Sequence, residues 1–196
     1  MSVRREEIVD IAKRLFAQRG YTATSMREIA DAAGVLSGSL YSHFRSKAQI
    51  LELAIMPFYD RLIPEQERAA GTDATGAARL EDMLRTTLAV CAAHSTEIAI
   101  LHYGWPYIRD VEDLASLVER SNKSLDLWHR VITAGVTDGS LRPTLHPETA
   151  GRMVTSAISG VLDRQRYVTR PDLVREHTLA GLADELVALL TEGLGA

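Results

Sequence analysis

Apolar residues recur every three or four positions along almost the whole chain, and this periodicity constrains the fold more than any other feature of the sequence. The first stretch shows it, with apolar side chains at Ile8, Ile11, Ala12, Leu15 and Phe16. Such steps place the side chains on one face of an amphipathic helix. The alternation that is typical of strands is nearly absent. The pattern therefore predicts an all-α protein of about nine helices.

Glycine and capping residues divide the first fifty positions into short helices. A first helix over residues 4–19 ends where Gly20 can adopt a left-handed conformation. Ser25 and Glu28 have the spacing of a capping box. This box would start a second helix, which Gly34 ends.

Prolines, glycines and polar loops punctuate the rest of the chain. A compact third helix is expected near residues 37–44. Ser46 would cap a long helix that begins at Lys47 and is interrupted around Pro57 and Pro64. After a loop at residues 70–76, further helices are predicted at residues 77–93, 96–104, 110–136, 148–168 and 173–192.

Length and composition limit the class of protein. The 196 residues suffice for one substantial core or for a small domain docked on a larger one. Apolar residues make up 46% and charged residues 24%, which excludes disordered and fibrous chains. No apolar run is long enough to span a bilayer, and the first ten residues lack the apolar stretch of a signal peptide. We therefore expect a cytoplasmic protein that makes no membrane contact.

Neither cysteine nor histidine chemistry marks a catalytic or metal site. The single cysteine, Cys91, excludes an internal disulfide and lies among apolar residues, so a small buried side chain is expected there. His94 and His102 have no acidic or cysteine co-ligand nearby, and no metal site is expected. Common hydrolase, metalloprotease and nucleotide-binding motifs are missing from the sequence. Neither enzymatic activity nor a cofactor is predicted.

Charge is distributed unevenly along the chain. Residues 1–50 carry eight Lys or Arg against five Asp or Glu, a net charge of +3, whereas residues 51–196 carry 14 against 21, a net charge of −7. A surface for a polyanion is therefore expected near the N-terminal end. The chain accordingly divides into a predicted nucleic-acid-binding domain at residues 1–50 and a second helical domain at residues 51–196.

The three N-terminal helices have the features of a helix-turn-helix unit. Ala30 permits close approach of the second helix, and Gly34 makes the turn. A small core around the first helix is expected from Ile29, Val35, Leu40 and Phe44. Such a unit exposes the N-terminal end of its third helix, which fits the major groove of DNA.

Positive charge, hydroxyl groups and aromatic hydrogen-bonding groups are concentrated in this unit. Ser25 with the first amides of the second helix suits a phosphate, and Lys47 with Tyr41 and His43 suits phosphates on the other flank. The predicted base-facing residues are Ser37, Gly38, Ser39, Tyr41 and Ser42, and Arg27 would read guanine or hold a phosphate. The predicted DNA contacts are Thr24, Ser25, Arg27, Ser37, Gly38, Ser39, Tyr41, Ser42, His43 and Lys47.

This string closely resembles the DNA-binding domain of the tetracycline-repressor (TetR) family. The matching residues are Gly20-Tyr21, Thr24, Ile29-Ala30, Ala33-Gly34-Val35, Gly38-Ser39-Leu40-Tyr41, His43-Phe44 and Ser46-Lys47. The match covers about the first fifty residues and is specific, because residue types, turn glycine and spacings agree together. Leu36 departs from it, since many members have a small polar residue there. The resemblance implies a dimeric, ligand-responsive transcriptional repressor that binds a near-palindromic operator in double-stranded DNA.

The resemblance also implies that residues 51–196 form a regulatory domain, in which a small-molecule effector binds and the last two helices pair with those of a second copy. Apolar stripes in those helices are compatible with a homodimer. The predicted interface residues are Val161, Leu182, Leu186 and Leu189. Aromatic and polar residues of the central helices could line a mostly apolar cavity. The candidates for effector contact are Phe58, Tyr59, Met83, His102, Tyr103, Trp105, Trp128 and Met153.

Two effector classes remain open. The residues Val35 to Tyr41 are similar to those of family members that govern lipid or steroid catabolism and respond to acyl-CoA thioesters. The tyrosine and tryptophan content of the middle helices instead favours a drug-efflux regulator that binds aromatic cations. A distant alternative is an all-α enzyme or small-molecule carrier in which the basic unit is only a scaffold. Specific binding to promoter DNA would exclude that alternative, because a scaffold would bind DNA only nonspecifically and salt-sensitively.

Overall fold

Eight α-helices and one 3₁₀ turn are present in the computed structural model, which describes residues 5–144 and 146–162 together with 181, 184, 185 and 188. The α-helices are α1 (Arg5–Arg19), α2 (Met26–Ala33), α3 (Ser37–His43), α4 (Lys47–Ala70), α5 (Gly76–Ala93), α6 (Ser95–Ile108), α7 (Ala115–Thr137) and α8 (Pro147–Leu162), with the 3₁₀ turn Glu112–Leu114 before α7. The all-α prediction is confirmed. The predicted helix at residues 173–192 lies mostly outside the described residues. None of the described helices is long and apolar enough to cross a membrane.

Local signals set the ends of the first helices as predicted. Gly20 and Gly34 adopt φ angles of +88° and +67°, which glycine tolerates because it has no Cβ. The capping box is present. The Ser25 hydroxyl accepts a hydrogen bond from the Glu28 amide at 3.2 Å, and the Glu28 carboxylate accepts one from the Ser25 amide at 2.7 Å. The hydrogen bond from the Ser25 amide is the largest cause of a lowered pKa at Glu28.

The helices pack into two compact units. Among the described residues, the first unit contains residues 5–60 and His94–Arg120, and the second contains Arg61–Ala93 and those from Ser121 onward. α6 therefore packs with the N-terminal helices, and direct contacts between α1 and α6 are part of the first unit. The boundary between the two packed units therefore does not coincide with the predicted domain boundary after residue 50.

The core of the N-terminal unit forms around α1. Its apolar stripe buries Ile8, Ala12 and Phe16, and the buried side chains on the following helices are Ile29, Ala30, Leu40 and Phe44. Val35, which was also expected in this core, is half-buried. The sequence periodicity thus predicts the packing of the three helices, except that it overestimates the burial of one residue.

A glycine pair and an unusual cap join α5 to the end of α7 in the second unit. A Cβ placed on Gly76 would lie 2.1 Å from the Cα of Gly135, so the two backbones are in direct contact. The Gly76 amide donates to the Asp138 carboxylate at 2.7 Å, and the Ala77 amide donates to the Ser140 hydroxyl at 3.0 Å. Side chains that follow α7 therefore cap the N-terminus of α5.

Replacing Asp138 by asparagine should remove a pH-dependent part of the stability. The Ser140 side chain first, then the amide of Gly76, favour the carboxylate and lower the pKa of Asp138. Because the folded-state pKa lies below the unfolded value, this stabilisation is fully present above the ordinary carboxyl pKa and is lost as pH falls through the lowered one. In thermal unfolding, the advantage of the wild type over Asp138→Asn should shrink below about pH 4. A difference in melting temperature that stays constant down to pH 3 would contradict this.

Prolines do not break the helices that contain them. They are Pro57 and Pro64 in α4 and Pro106 in α6. The predicted interruptions of α4 are therefore wrong, and α6 extends beyond its predicted end at residue 104. Each proline leaves the carbonyl four residues earlier without its helical donor. These carbonyls belong to exposed residues, where water can replace the donor, namely Leu53, Asp60 and His102.

Cys91 is buried, as the sequence predicts, and its chemistry follows from that burial. Removal from water raises the pKa of the Cys91 thiol to about 12. At pH 8 the native protein should therefore react with iodoacetamide far more slowly than the protein unfolded in guanidinium chloride, because the thiolate is the nucleophile. Native labelling at the rate of a free thiol, followed by mass spectrometry, would disprove the assignment.

Candidate nucleic-acid interface and regulatory core

The third helix presents almost all of its side chains to solvent. Leu40 is its one buried residue, and Tyr41 is 58% exposed. α2 packs beside it and contributes Arg27, whose exposed guanidinium lies 3.8 Å from Asp31. Eight of the ten predicted DNA contacts are exposed on this unit: Ser25, Arg27, Ser37, Gly38, Ser39, Tyr41, Ser42 and His43.

Two of these exposed hydroxyls already have protein partners. Ser42 donates to the Ser39 carbonyl at 2.6 Å, and Ser25 donates to the Glu28 carboxylate at 2.8 Å. At the start of α2 the capping box occupies the amides of Ser25 and Glu28, so only the amides of Met26 and Arg27 are available to an anion. The structure thus narrows the predicted phosphate site to those two amides.

Thr24 requires a correction. Its side chain is 1% exposed, and its hydroxyl donates to the Gly20 carbonyl at 2.8 Å. A buried hydroxyl with a backbone partner cannot reach a phosphate or a base. Thr24 therefore closes the turn between α1 and α2, and it is not a contact residue.

Lys47 is bound to the same turn. Its ammonium donates to the carbonyls of Tyr21 at 2.7 Å and Thr24 at 2.8 Å, and it lies 4.3 Å from the centre of the Tyr21 ring. Burial lowers the pKa of Lys47, and the charge of Glu28 partly offsets this effect. These contacts favour a positioning role for Lys47 in place of the predicted phosphate contact.

An ion pair that the sequence reasoning missed connects α1 to α6. Glu97 is 6% exposed, and its carboxylate accepts a hydrogen bond from the Lys13 ammonium at 3.0 Å. The Nδ1 atom of His94 lies 3.5 Å from the same oxygen. The sequence does contain a sign of this buried carboxylate, because Glu97 lies on the same face of α6 as Ile100 and Leu101 at helical spacing. A carboxylate on a buried face requires a partner.

The predicted effector contacts are divided between the two units. Phe58, Tyr59, His102, Tyr103 and Trp105 belong to the first unit, and Met83, Trp128 and Met153 belong to the second. Phe58, Tyr59, Met83 and Trp128 are buried, Tyr103 and Trp105 are half-buried, and His102 and Met153 are exposed. Met153, at 66% exposure, projects from α8 into solvent, so its assignment to an interior cavity is corrected.

A polar cluster that the sequence reasoning also missed lies inside the second unit. The amide of Gln66, which is fully buried, donates to the Thr87 hydroxyl at 3.2 Å and accepts from the Ser124 hydroxyl at 2.8 Å. One turn beyond Ser124, the indole Nε1 of the fully buried Trp128 has no hydrogen-bond acceptor among the described residues. The sequence contains a sign of this cluster, because the polar Gln66 lies on the same face of α4 as the apolar Ile63.

A groove of about 390 Å³ lies between α7 and α8 in the second unit. Its rim carries the exposed charged residues Asp126, Glu148 and Arg152 and the exposed His129. None of the predicted effector contacts lines it. An open, charged groove differs from the mostly apolar cavity expected for a small-molecule site.

None of the four predicted dimer-interface residues has a described side chain. Val161 is part of α8, but its side chain is outside the described set, as are Leu182, Leu186 and Leu189. On the described part of α8, Val154 and Ile158 are buried within the unit. The exposed side of α8 carries Met153 and Gly160.

Comparison with known proteins agrees with this architecture. The family model for "Bacterial regulatory proteins, tetR family" matches residues 8–54, and the model for "Tetracyclin repressor-like, C-terminal domain" matches residues 73–163. The HTH-type transcriptional repressor KstR2 of Rhodococcus jostii is 37% identical over 153 residues, which cover 78% of this chain and 75% of that protein. The ketosteroid transcriptional regulator KstR2 of Mycobacterium tuberculosis superposes with a TM-score of 0.82 at 25% identity, covering 100% and 97% of the two chains.

One further structure shares the fold at lower identity. AibR, solved in complex with isovaleryl coenzyme A and operator DNA, superposes with a TM-score of 0.76 at 22% identity, covering 95% and 97% of the chains. The chain belongs to the TetR family of bacterial transcriptional regulators. Within that family it is a ligand-responsive transcriptional repressor with an N-terminal helix-turn-helix domain and a C-terminal ligand-binding domain.

Proposed function

We propose that the exposed surface of α2 and α3 binds a near-palindromic operator and that a homodimer presents two such surfaces. The observation that carries this proposal is that α3 buries only Leu40 and turns its hydroxyls and Tyr41 outward. A short helix exposed in this way fits the major groove, where hydroxyl and phenol groups can hydrogen-bond to base edges. A two-fold dimer would read two half-sites about one helical turn apart or slightly more.

The homodimer would use the last two helices, with Val161, Leu182, Leu186 and Leu189 as interface residues. On α8, the exposed Met153 and Gly160 support a contact face that lies beside the stripe of Val154, Ile158 and Val161. Among the described residues, no heavy atom lies within 4 Å of a Cβ placed on Gly160, which leaves room for a second backbone to approach. Sedimentation of the full-length protein should therefore give a dimer, and a monomer on operator DNA would overturn this part of the proposal.

The effector is a lipid- or steroid-derived acyl-CoA thioester. The regulators named KstR2 support the steroid class, and the isovaleryl coenzyme A bound to AibR supports the thioester. In this chain, a buried indole donor at Trp128 and the amide of Gln66 suit an effector that is mostly apolar and carries a few oxygen acceptors. The runner-up, an aromatic cation, would need a buried negative or aromatic partner. Glu97 is already paired with Lys13, so the buried rings of Phe58 and Tyr59 are the candidates for that role.

Coupling to DNA would run through the pair of Lys13 and Glu97. An effector releases DNA only if it favours a conformation that binds DNA less tightly. α6 is attached to α1 by this partly buried ion pair, so a displacement of α6 would reach the helix around which α2 and α3 pack.

Tryptophan emission tests the effector assignment, because Trp105 and Trp128 both lie outside residues 1–50. Steroid-derived and straight-chain acyl-CoA thioesters would be titrated against the full-length protein, with free CoA and tetraphenylphosphonium as controls. A thioester should change the emission at the concentration that releases DNA, whereas operator alone should change it little. Trp128→Phe should lose most of the response and Trp105→Phe should keep it. Release by tetraphenylphosphonium alone would favour the drug-efflux alternative.

A further inference from the structure

Leu36 is the most exposed large apolar side chain in the described part of the protein. It precedes α3 as the N-cap residue, with an extended backbone at φ −69° and ψ 141°, and its side chain is 82% exposed. Serine, threonine, asparagine or aspartate at this position would cap the helix, and leucine cannot. The cap is therefore lost, and an apolar group stands in water at the start of the reading helix.

The backbone around Leu36 is firmly held. The left-handed Gly34 makes the turn, the Val35 amide donates to the Ala30 carbonyl at 3.0 Å, and the Leu40 amide donates to the Leu36 carbonyl at 3.1 Å. Leu36 is therefore not a loose loop residue. Its side chain starts from a fixed point between α2 and α3.

Apart from the aromatic ring of Tyr41, the exposed residues that follow Leu36 offer only polar or very small groups. They are Ser37, Gly38, Ser39, Tyr41 and Ser42. Hydroxyl groups hydrogen-bond to base edges, but they cannot use the one apolar group that the major groove displays, which is the C5 methyl of thymine. Among the exposed residues from position 36 to position 42, Leu36 is the one aliphatic side chain that can cover that methyl group.

We propose that Leu36 is a specificity-determining residue that selects thymine in each operator half-site by packing against its methyl group. This inference rests on the proposed DNA-binding function of α2 and α3. The net charge of +3 on residues 1–50 favours DNA as the occupant of this surface over a second protein with an apolar patch. Leu36 thus gives the chain an operator preference that the polar residues of α3 do not supply.

Selection from a random DNA library with the full-length protein tests the proposal. The wild type should enrich sequences with a thymine at one fixed position in each half-site, and Leu36→Ala should lose that preference while still enriching a motif. Deoxyuridine at that position removes only the methyl group. It should weaken wild-type binding about fourfold per half-site, the effect of leaving one methyl group unburied, and should leave Leu36→Ala binding unchanged.

The control is Leu53→Ala, an exposed leucine on α4, which should keep the full effect of deoxyuridine. Equal melting temperatures of the wild type and Leu36→Ala would show that the exposed side chain does not support the fold. If the wild type enriches a motif but binds deoxyuridine and thymine equally, the proposal for Leu36 fails and the DNA-binding function stands. If no motif is enriched at all, the proposed DNA-binding function fails, and this inference fails with it.

Discussion

Gly76→Ala should destabilise the protein by about 3 kcal/mol, at the upper end of what overpacking costs in a well-packed interior. The added Cβ would lie 2.1 Å from both the Cα and the amide nitrogen of Gly135. Those atoms are backbone, so no rotamer change can relieve the overlap. α5 and α7 would have to separate, and the cap from Asp138 to the Gly76 amide would be strained at the same time. Urea unfolding followed by circular dichroism measures the loss.

Gly38→Ala is the matched control for stability, since among the described residues no heavy atom lies within 4 Å of a Cβ placed on Gly38 in α3. It should leave the protein unchanged or stabilise it by up to about 1 kcal/mol, the difference in helix propensity between the two residues. Gly135→Ala should fall between the two, because its Cβ would meet the Leu141 side chain at 2.6 Å, and a side chain can move. Equal midpoints for Gly76→Ala and Gly38→Ala would show that the backbones of Gly76 and Gly135 do not touch.

Lys47→Ala should both destabilise the DNA-binding unit and weaken operator binding. The variant removes two charge-assisted hydrogen bonds to the turn carbonyls of Tyr21 and Thr24 and the contact with the Tyr21 ring. Because the ammonium is partly exposed, we expect a loss of about 2 kcal/mol in stability. Operator affinity should fall about tenfold, corresponding to about 1.4 kcal/mol, since the turn before α2 loses its anchor.

The salt dependence separates the positioning role from a direct phosphate contact. A phosphate contact displaces about one counterion, so its loss lowers the slope of log affinity against log salt by about one unit. We expect Lys47→Ala to leave the slope unchanged and the exposed Arg27→Ala to lower it. Lys123→Ala is the control for stability, because its pair with Glu67 is a surface ion pair that contributes less than about 1 kcal/mol. A slope reduced by a full unit in Lys47→Ala would restore the phosphate contact.

The sequence predicts those parts of the fold that neighbouring residues decide. The capping box of Ser25 and Glu28, the left-handed Gly20 and the helix end at Gly34 depend on a few consecutive residues, and all are found as predicted. The local effect of Pro57 predicts an interruption of α4. The helix continues through it because α4 is held by packing and the freed carbonyl is at the surface, which a local pattern does not reveal.

The same distinction between local and long-range contacts applies to the residues of the candidate site. Exposure of α3 follows from its single apolar position, Leu40, so the outward-facing residues could be predicted. The inward positions of Thr24 and Lys47 could not, because their partners are the carbonyls of a turn whose shape depends on packing. The position of Glu97 on a buried face indicates that its carboxylate needs a partner. That partner, Lys13, is 84 residues away in the sequence. Long-range pairs of this kind require the structure.

The most direct test of the central claim is the ratio of two affinities at physiological salt. Fluorescence anisotropy would compare binding of the full-length protein to a library-selected operator with binding to a composition-matched scrambled duplex. A sequence-reading repressor should prefer its operator by at least about a thousandfold. A ratio near one, with both affinities falling steeply as salt is raised, would show that α2 and α3 bind only the DNA backbone and would contradict the account.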